Sequence, residues 1–157
     1  YYSRKLFYAV NLMAGCDANA KITWYSVMTT GSCHDAVALG VSDLMPQLDR
    51  LPKDVYILGD DAFSNMHRSI LTPLPNQEVG TPGDAYNYAQ SSQRMHIERC
   101  FGILTAVWGV LWRPMRYGAR RRKLILGAII RLHNLRIEHR VSSYTLAQQK
   151  EDRKEQI

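Results

Sequence analysis

Val55-Tyr56-Ile57-Leu58-Gly59-Asp60-Asp61-Ala62-Phe63 is a run of apolar and aromatic residues that ends in a turn carrying two acids. A run without alternation predicts a strand covered on both faces, the pattern of an α/β sheet. Such sheets gather functional groups at the carboxyl ends of their strands. The stretch therefore predicts a strand that delivers a carboxylate, with Asp60 at its end. Asp60 and Asp61 are neighbours on extended backbone and point to opposite faces, so at most one readily enters a site. An Asp ending a strand also serves as a turn former or helix cap, and that alternative stays open.

The segments around this strand complete an α/β pattern. Residues 4–16 (RKLFYAVNLMAGC) place Leu6, Tyr8, Val10 and Leu12 on one face at period two. Asp17-Ala18-Asn19-Ala20 reads as a turn, because Asp and Asn hydrogen-bond their own backbone there. Residues 21–30 (KITWYSVMTT) are β-branched and aromatic, so the two strands form an antiparallel hairpin. Asp35 is placed to cap a helix in which Val37, Val41, Leu44 and Leu48 share a face, with Pro46 ending or kinking it. Residues 69–74 (SILTPL) suit a short edge strand, and residues 75–84 a Pro/Gly loop. In residues 86–112, Ile97, Phe101, Leu104, Trp108 and Leu111 form one helical stripe. Residues 113–123 are a basic connector, residues 124–140 a second, largely apolar helix, and residues 148–157 a charged, frayed tail.

The chain has 157 residues and a net charge of +6, distributed unevenly. Residues 86–140 carry eleven Lys/Arg against two acids, or +9, and the remaining nine bases and twelve acids give −3. A basic half favours a polyanionic partner such as nucleic acid, with a solvated basic surface as the alternative. Three cysteines without a C-x-x-C spacing argue against structural disulfides and fit a reducing compartment. The longest apolar runs are shorter than the ~20 residues of a membrane-spanning helix, so no membrane role is expected. The chain opens on Tyr1-Tyr2 without Met, which suggests a piece of something longer.

Glu98, in Arg94-Met95-His96-Ile97-Glu98-Arg99-Cys100-Phe101-Gly102, lies at the edge of the helical stripe. With Asp60 it forms the candidate pair for a metal-dependent phosphoryl-transfer site, since Mg²⁺ and Mn²⁺ prefer oxygen ligands and two ions can stabilise both reacting oxygens. The plainer role for Glu98 is an i,i+4 pair with Arg94. His34-Asp35 is either near a site or a loop hydrogen bond. His133-Asn134 reads as a satisfied core pair. Trp108 and Trp112 stand at helical spacing and read as core. Arg120, Arg121, Arg122 and Lys123 either hold phosphates or form a solvated connector.

The order of short motifs adds what spacing does not. Tyr2-x-x-Arg4-Lys5-x-Phe7-Tyr8, Cys16-Asp17-Ala18, Gly31-Ser32-x-His34-Asp35, Leu58-Gly59-Asp60-x-Ala62-Phe63, Leu71-Thr72-Pro73, Ile97-Glu98-Arg99-x-Phe101-Gly102 and Leu132-His133-Asn134-Leu135 follow one another along nearly the whole chain. Together they resemble the DDE superfamily endonuclease domain of Harbinger-type transposases. The resemblance implies an RNase H-like mixed sheet with flanking helices, acting on DNA with two Mg²⁺ or Mn²⁺ ions. It makes Asp60 and Glu98 the second and third acidic ligands, and Phe63 stands where that family usually has Tyr. The family's first Asp lies on a first, central strand upstream of the segment matching residues 1–8, so both are expected to be missing. The expected organisation is a partial catalytic domain over residues 1–140 and a charged tail over 141–157, in a nuclear protein that a separate DNA-binding partner protein could direct. The rival readings are a non-catalytic, domesticated DNA- or protein-binding module and an RNA-binding basic domain.

Overall fold

The computed structural model describes residues 11–27, 31 and 33–154, with only the helical backbone described over 141–154. The Tyr2–Tyr8 motif, most of the first predicted strand, the end of the second and residues 155–157 lie outside the described residues.

Strand β1 (Met13–Cys16) pairs antiparallel with β2 (Ile22–Ser26), with an irregularity between Gly15 and Cys16. The predicted turn joins them. Asp17 Oδ1 accepts from the amides of Asn19 and Lys21, each at 2.9 Å. Ala20 closes the turn at φ 65°, a left-handed conformation that costs a non-glycine residue about 1 kcal/mol.

The predicted single helix is two short ones, α1 (Asp35–Gly40) and α2 (Leu44–Leu48). The break falls before Pro46. The hydroxyl of Ser42 donates to the Leu39 carbonyl and accepts from the Leu44 amide, giving the backbone an alternative to the helical ladder. Pro46 then sits in the first turn of α2, where a missing N–H costs little. The face also differs from expectation: Val37 and Val41 are exposed, while Ala38, Leu39 and Leu48 are buried. Asp35 is not the cap. His34 occupies that position without a side-chain cap bond, and the Asp35 carboxylate accepts from Asn11 Nδ2 at 3.1 Å.

The strand that organises the sequence is short. β3 (Ile57–Leu58) pairs in parallel with β4 (Ile70–Leu71), in a two-stranded sheet separate from the hairpin. Val55, Tyr56 and Leu58 are exposed, so the expectation of burial on both faces fails. Among the described residues β4 is its one strand neighbour, and a strand with one neighbour and one covering helix keeps part of its surface in water.

Helix α3 (Pro82–Val107) begins four residues earlier than expected. Thr81 caps it by accepting from the Asp84 amide, Pro82 starts the first turn, and Asp84 Oδ2 accepts from Gly80 N in return. The helix ends at Val107, and a 3₁₀ turn (Gly109–Trp112) carries the chain to α4 (Ala119–Lys154), which begins five residues earlier than expected, so that Arg120, Arg121, Arg122 and Lys123 lie in its first turns and not in a connector. Helical backbone runs through Lys154, where composition suggests fraying.

α3 joins the two small sheets. Its first turns hold β3 and β4 by hydrogen bonds, and its later turns pack the hairpin. The core gathers Ala20 and Ile22 from the hairpin, Cys100 and Leu104 from α3, and Ile129 and Ile130 from α4. Ile97, Phe101, Trp108 and Leu111 line it, as the stripe predicts, but Trp112 is 74% exposed and not core. The architecture is mixed α/β with small sheets.

Candidate active site

Asp60 sits two residues beyond the end of β3, after Gly59, which lets the chain pass close to β4. The Gly59 amide donates to the Leu71 carbonyl at 3.0 Å. A Cβ on Gly59 would lie 3.0 Å from Ile70 Cγ2 and 3.1 Å from Phe63 Cδ2. The Asp60 carboxylate caps the 3₁₀ turn Asp61–Phe63, accepting from the Ala62 amide at 3.1 Å. The cap reading of Asp60 is thus realised, with one carboxylate oxygen engaged. Asp61 points elsewhere and accepts from the Ser64 hydroxyl.

Beneath this turn lies a residue that the sequence reading passed over. Gln90 of α3 is 4% exposed, and its Nε2 donates to the Gly59 carbonyl at 2.6 Å and to the Leu71 carbonyl at 3.3 Å. Its Oε1 is buried without a hydrogen-bond partner. Neighbouring positions add to this grip. Asn87 makes two bonds to the Leu74 backbone, and the Tyr86 hydroxyl donates to the Thr72 carbonyl. The signal was available, because Gln90 is seven residues before Ile97 and continues the buried stripe. A polar residue on a buried stripe needs partners, and here they are strand-end carbonyls.

Glu98 lies on the same helix, eight residues after Gln90. That is about 12 Å along the axis and about 80° around it. Its side chain is exposed, and no ion pair joins it to Arg94. Asp60 and Glu98 are thus carried by two elements that touch, β3 and α3, with two helical turns between Gln90 and Glu98. No hydrogen bond links the two carboxylates. Among the described residues no three or more His, Cys, Asp or Glu side chains gather to hold a metal ion. His34 and Asp35 are exposed at the start of α1, which packs against β1 and the Asp61–Phe63 turn.

A second cluster is buried and structural. His133 is 1% exposed, and its Nε2 donates to the Ala20 carbonyl at 2.8 Å. The Cys100 thiol donates to the same carbonyl and lies 3.7 Å from His133 Nε2. Asn134 brackets the Ile22 backbone, accepting from its amide and donating to its carbonyl, each at 2.8 Å. The pair is therefore a satisfied core pair, as expected. Burial pushes the Cys100 thiol up to about 12, with the neighbouring Cys16 adding to the shift. Burial also raises Cys16. Neither thiol is poised as a nucleophile. Nearby, Lys21 pairs with Glu138, whose carboxylate raises the ammonium pKa.

A protein-family model described as DDE superfamily endonuclease matches residues 1–134. No curated protein and no solved structure matches the chain. Asp60 and Glu98 both lie inside the matched region. Members of that superfamily generally use divalent metals. Carboxylate oxygens are the right donors for such ions, but two acids, one already capping a turn, are fewer than a pair of ions requires.

Proposed function

Because the chain belongs to the DDE superfamily endonucleases, we propose that it is a transposase-like domain acting on DNA, with Asp60 and Glu98 as two of its metal-binding acids. The observation that carries this reading is the family match over residues 1–134, which spans both acids and the elements bearing them. The Harbinger-type assignment rests on the order of the seven motifs. In this reading the fold is RNase H-like, the catalytic unit covers residues 1–140, and the reaction is phosphodiester hydrolysis and strand transfer in the nucleus. His34 and Asp35 stand near the site, Arg120, Arg121, Arg122 and Lys123 contact the DNA backbone, and a separate protein supplies DNA recognition.

The chain's own contribution at Asp60 is positional. Gln90 holds the Gly59 carbonyl, so the strand end that carries the acid is tied to the helix that carries Glu98. Mn²⁺ titration followed by paramagnetic broadening tests the assignment. Broadening should centre on residues 58–62 and 97–99, and Asp60→Asn and Glu98→Gln should each weaken it. Asn preserves the cap acceptor, so a loss of Mn²⁺ binding in Asp60→Asn without a loss of stability separates ligand from cap. Broadening that ignores both substitutions removes the two acids from the site.

One observation favours a second reading, a non-catalytic DNA- or protein-binding module: Asp60 is engaged as a cap and Glu98 stands in solvent. DNA binding that is unchanged in EDTA, together with absent Mn²⁺ binding, is the outcome of that alternative.

A further inference from the structure

The stretch from the end of the 3₁₀ turn into the first turns of α4 has a composition and geometry that neither the fold nor the acidic pair uses. Residues 99–137 contain nine Lys/Arg and no Asp or Glu, and six of those cations fall within residues 113–123. Five of the six are Arg. Among the described residues no acid pairs with Arg113, Arg116, Arg120 or Arg121. Two aromatic rings stand among them. Trp112 is 74% exposed, yet its Nε1 donates inward to the Thr105 carbonyl at 2.8 Å. The one polar group of the indole is therefore satisfied by the protein, and most of the apolar ring is held in water. Tyr117 is half-exposed, with the Arg121 guanidinium 5.8 Å from its ring centroid.

We propose that residues 112–121 form a stacking site for unpaired bases of single-stranded DNA. A held, exposed indole offers a flat face that any base can use, and stacking of this kind tolerates sequence. Arg113, Arg116, Arg120 and Arg121 supply the phosphate contacts, and planar guanidinium suits both phosphate forks and base faces. The start of α4 at Ala119 adds its positive end beside Tyr117. A duplex buries its base faces, so the rings select a single strand, while the arginines alone would accept either form. An anionic lipid surface would also attract arginine and tryptophan, but it gains nothing from individual bases. The choice of DNA over RNA rests on the family reading above. The stacking site itself does not, and it needs neither Asp60 nor Glu98.

The test measures anisotropy of labelled strands with the full chain in EDTA, so that metal binding at the acids plays no part. The probes are an oligothymidylate, an abasic strand of equal length and charge, an oligouridylate and a duplex. The oligothymidylate should bind about 5- to 150-fold tighter than the abasic strand, the range expected for one stacked base. Trp112→Ala should erase that difference and leave duplex binding unchanged, whereas Trp112→Phe should keep most of it. Joint substitution Arg120→Gln and Arg121→Gln should weaken every probe and flatten the salt dependence of single-strand binding by roughly 1.4 in log–log slope. Equal affinity for the abasic strand overturns the proposal even if a Trp112 variant folds poorly, since it uses the unmodified chain. Tighter binding of oligouridylate overturns the DNA assignment. Displacement of the strand by phosphatidylserine vesicles with higher affinity assigns the surface to lipid and also overturns it. None of these outcomes bears on the Mn²⁺ titration.

Discussion

Replacing Asn134 with Leu tests how α4 holds the hairpin. The side chain makes two bonds of 2.8 Å to one residue, accepting from the Ile22 amide and donating to its carbonyl. Ile22 is 4% exposed and lies in the core cluster. Leu has the same branching and number of side-chain heavy atoms as Asn and favours a helix, so shape and propensity are largely kept. What changes is that a backbone donor and a backbone acceptor lose their partner together. Each orphaned group costs about 1–3 kcal/mol when buried. Water reaches part of this site, so the combined loss should be about 2–4 kcal/mol. Against a typical total of about 5–15 kcal/mol, that is a large share. In urea unfolding with a slope near 2 kcal/mol per molar, the midpoint should fall by roughly 1–2 M with the slope unchanged. A shift worth less than about 0.5 kcal/mol would mean that water or another side chain satisfies Ile22, and that the helix does not clamp the hairpin through this residue.

Gly59→Ala should destabilise by about 1–2 kcal/mol in the same assay, because the new methyl would sit 3.0 Å from Ile70 Cγ2 against a paired strand. The Cys100 thiol should resist alkylation in the native state while the half-buried Cys33 reacts, with unfolding required to label Cys100. Its raised pKa also gives a sign to pH dependence. Above the ordinary thiol value of 9.0 the unfolded chain loses this proton while the native state keeps it up to about 12. The native state then binds more protons, so stability should fall as pH rises through that window, and Cys100→Ala should remove this part of the slope. Asp60→Ala should cost about 1 kcal/mol through the lost cap, whereas Asp60→Asn should not, as circular dichroism melts would show.

Local chemistry was legible in the sequence wherever it acts within a few residues. The Asp17 turn, the stripe through Ile97 and Leu104, and the short strand at residues 70–71 all depend on short-range spacing or turn chemistry. The reading went astray where a second element decides exposure. Trp112 continues a helical spacing, but α3 ends at Val107 and the 3₁₀ turn rotates the indole into water. Val37 and Val41 join Leu44 and Leu48 on one face only if one helix runs on, and the Ser42 hydroxyl interrupts it. Gln90 was missed because its role is set by carbonyls 19 and 31 residues away in the chain.

By itself the sequence determined the family, through motifs whose order survives without coordinates, and the basic bias of the second half, which is a plain count of charges. Tertiary structure alone decided that the Asp60 carboxylate caps a turn, that α3 bridges two small sheets, and that the 3₁₀ turn before the arginines keeps an anchored indole in solvent. The division follows from range. Turn chemistry, periodicity and charge are properties of neighbouring residues, whereas burial and the pairing of polar groups depend on chain segments far apart in sequence arriving at the same place.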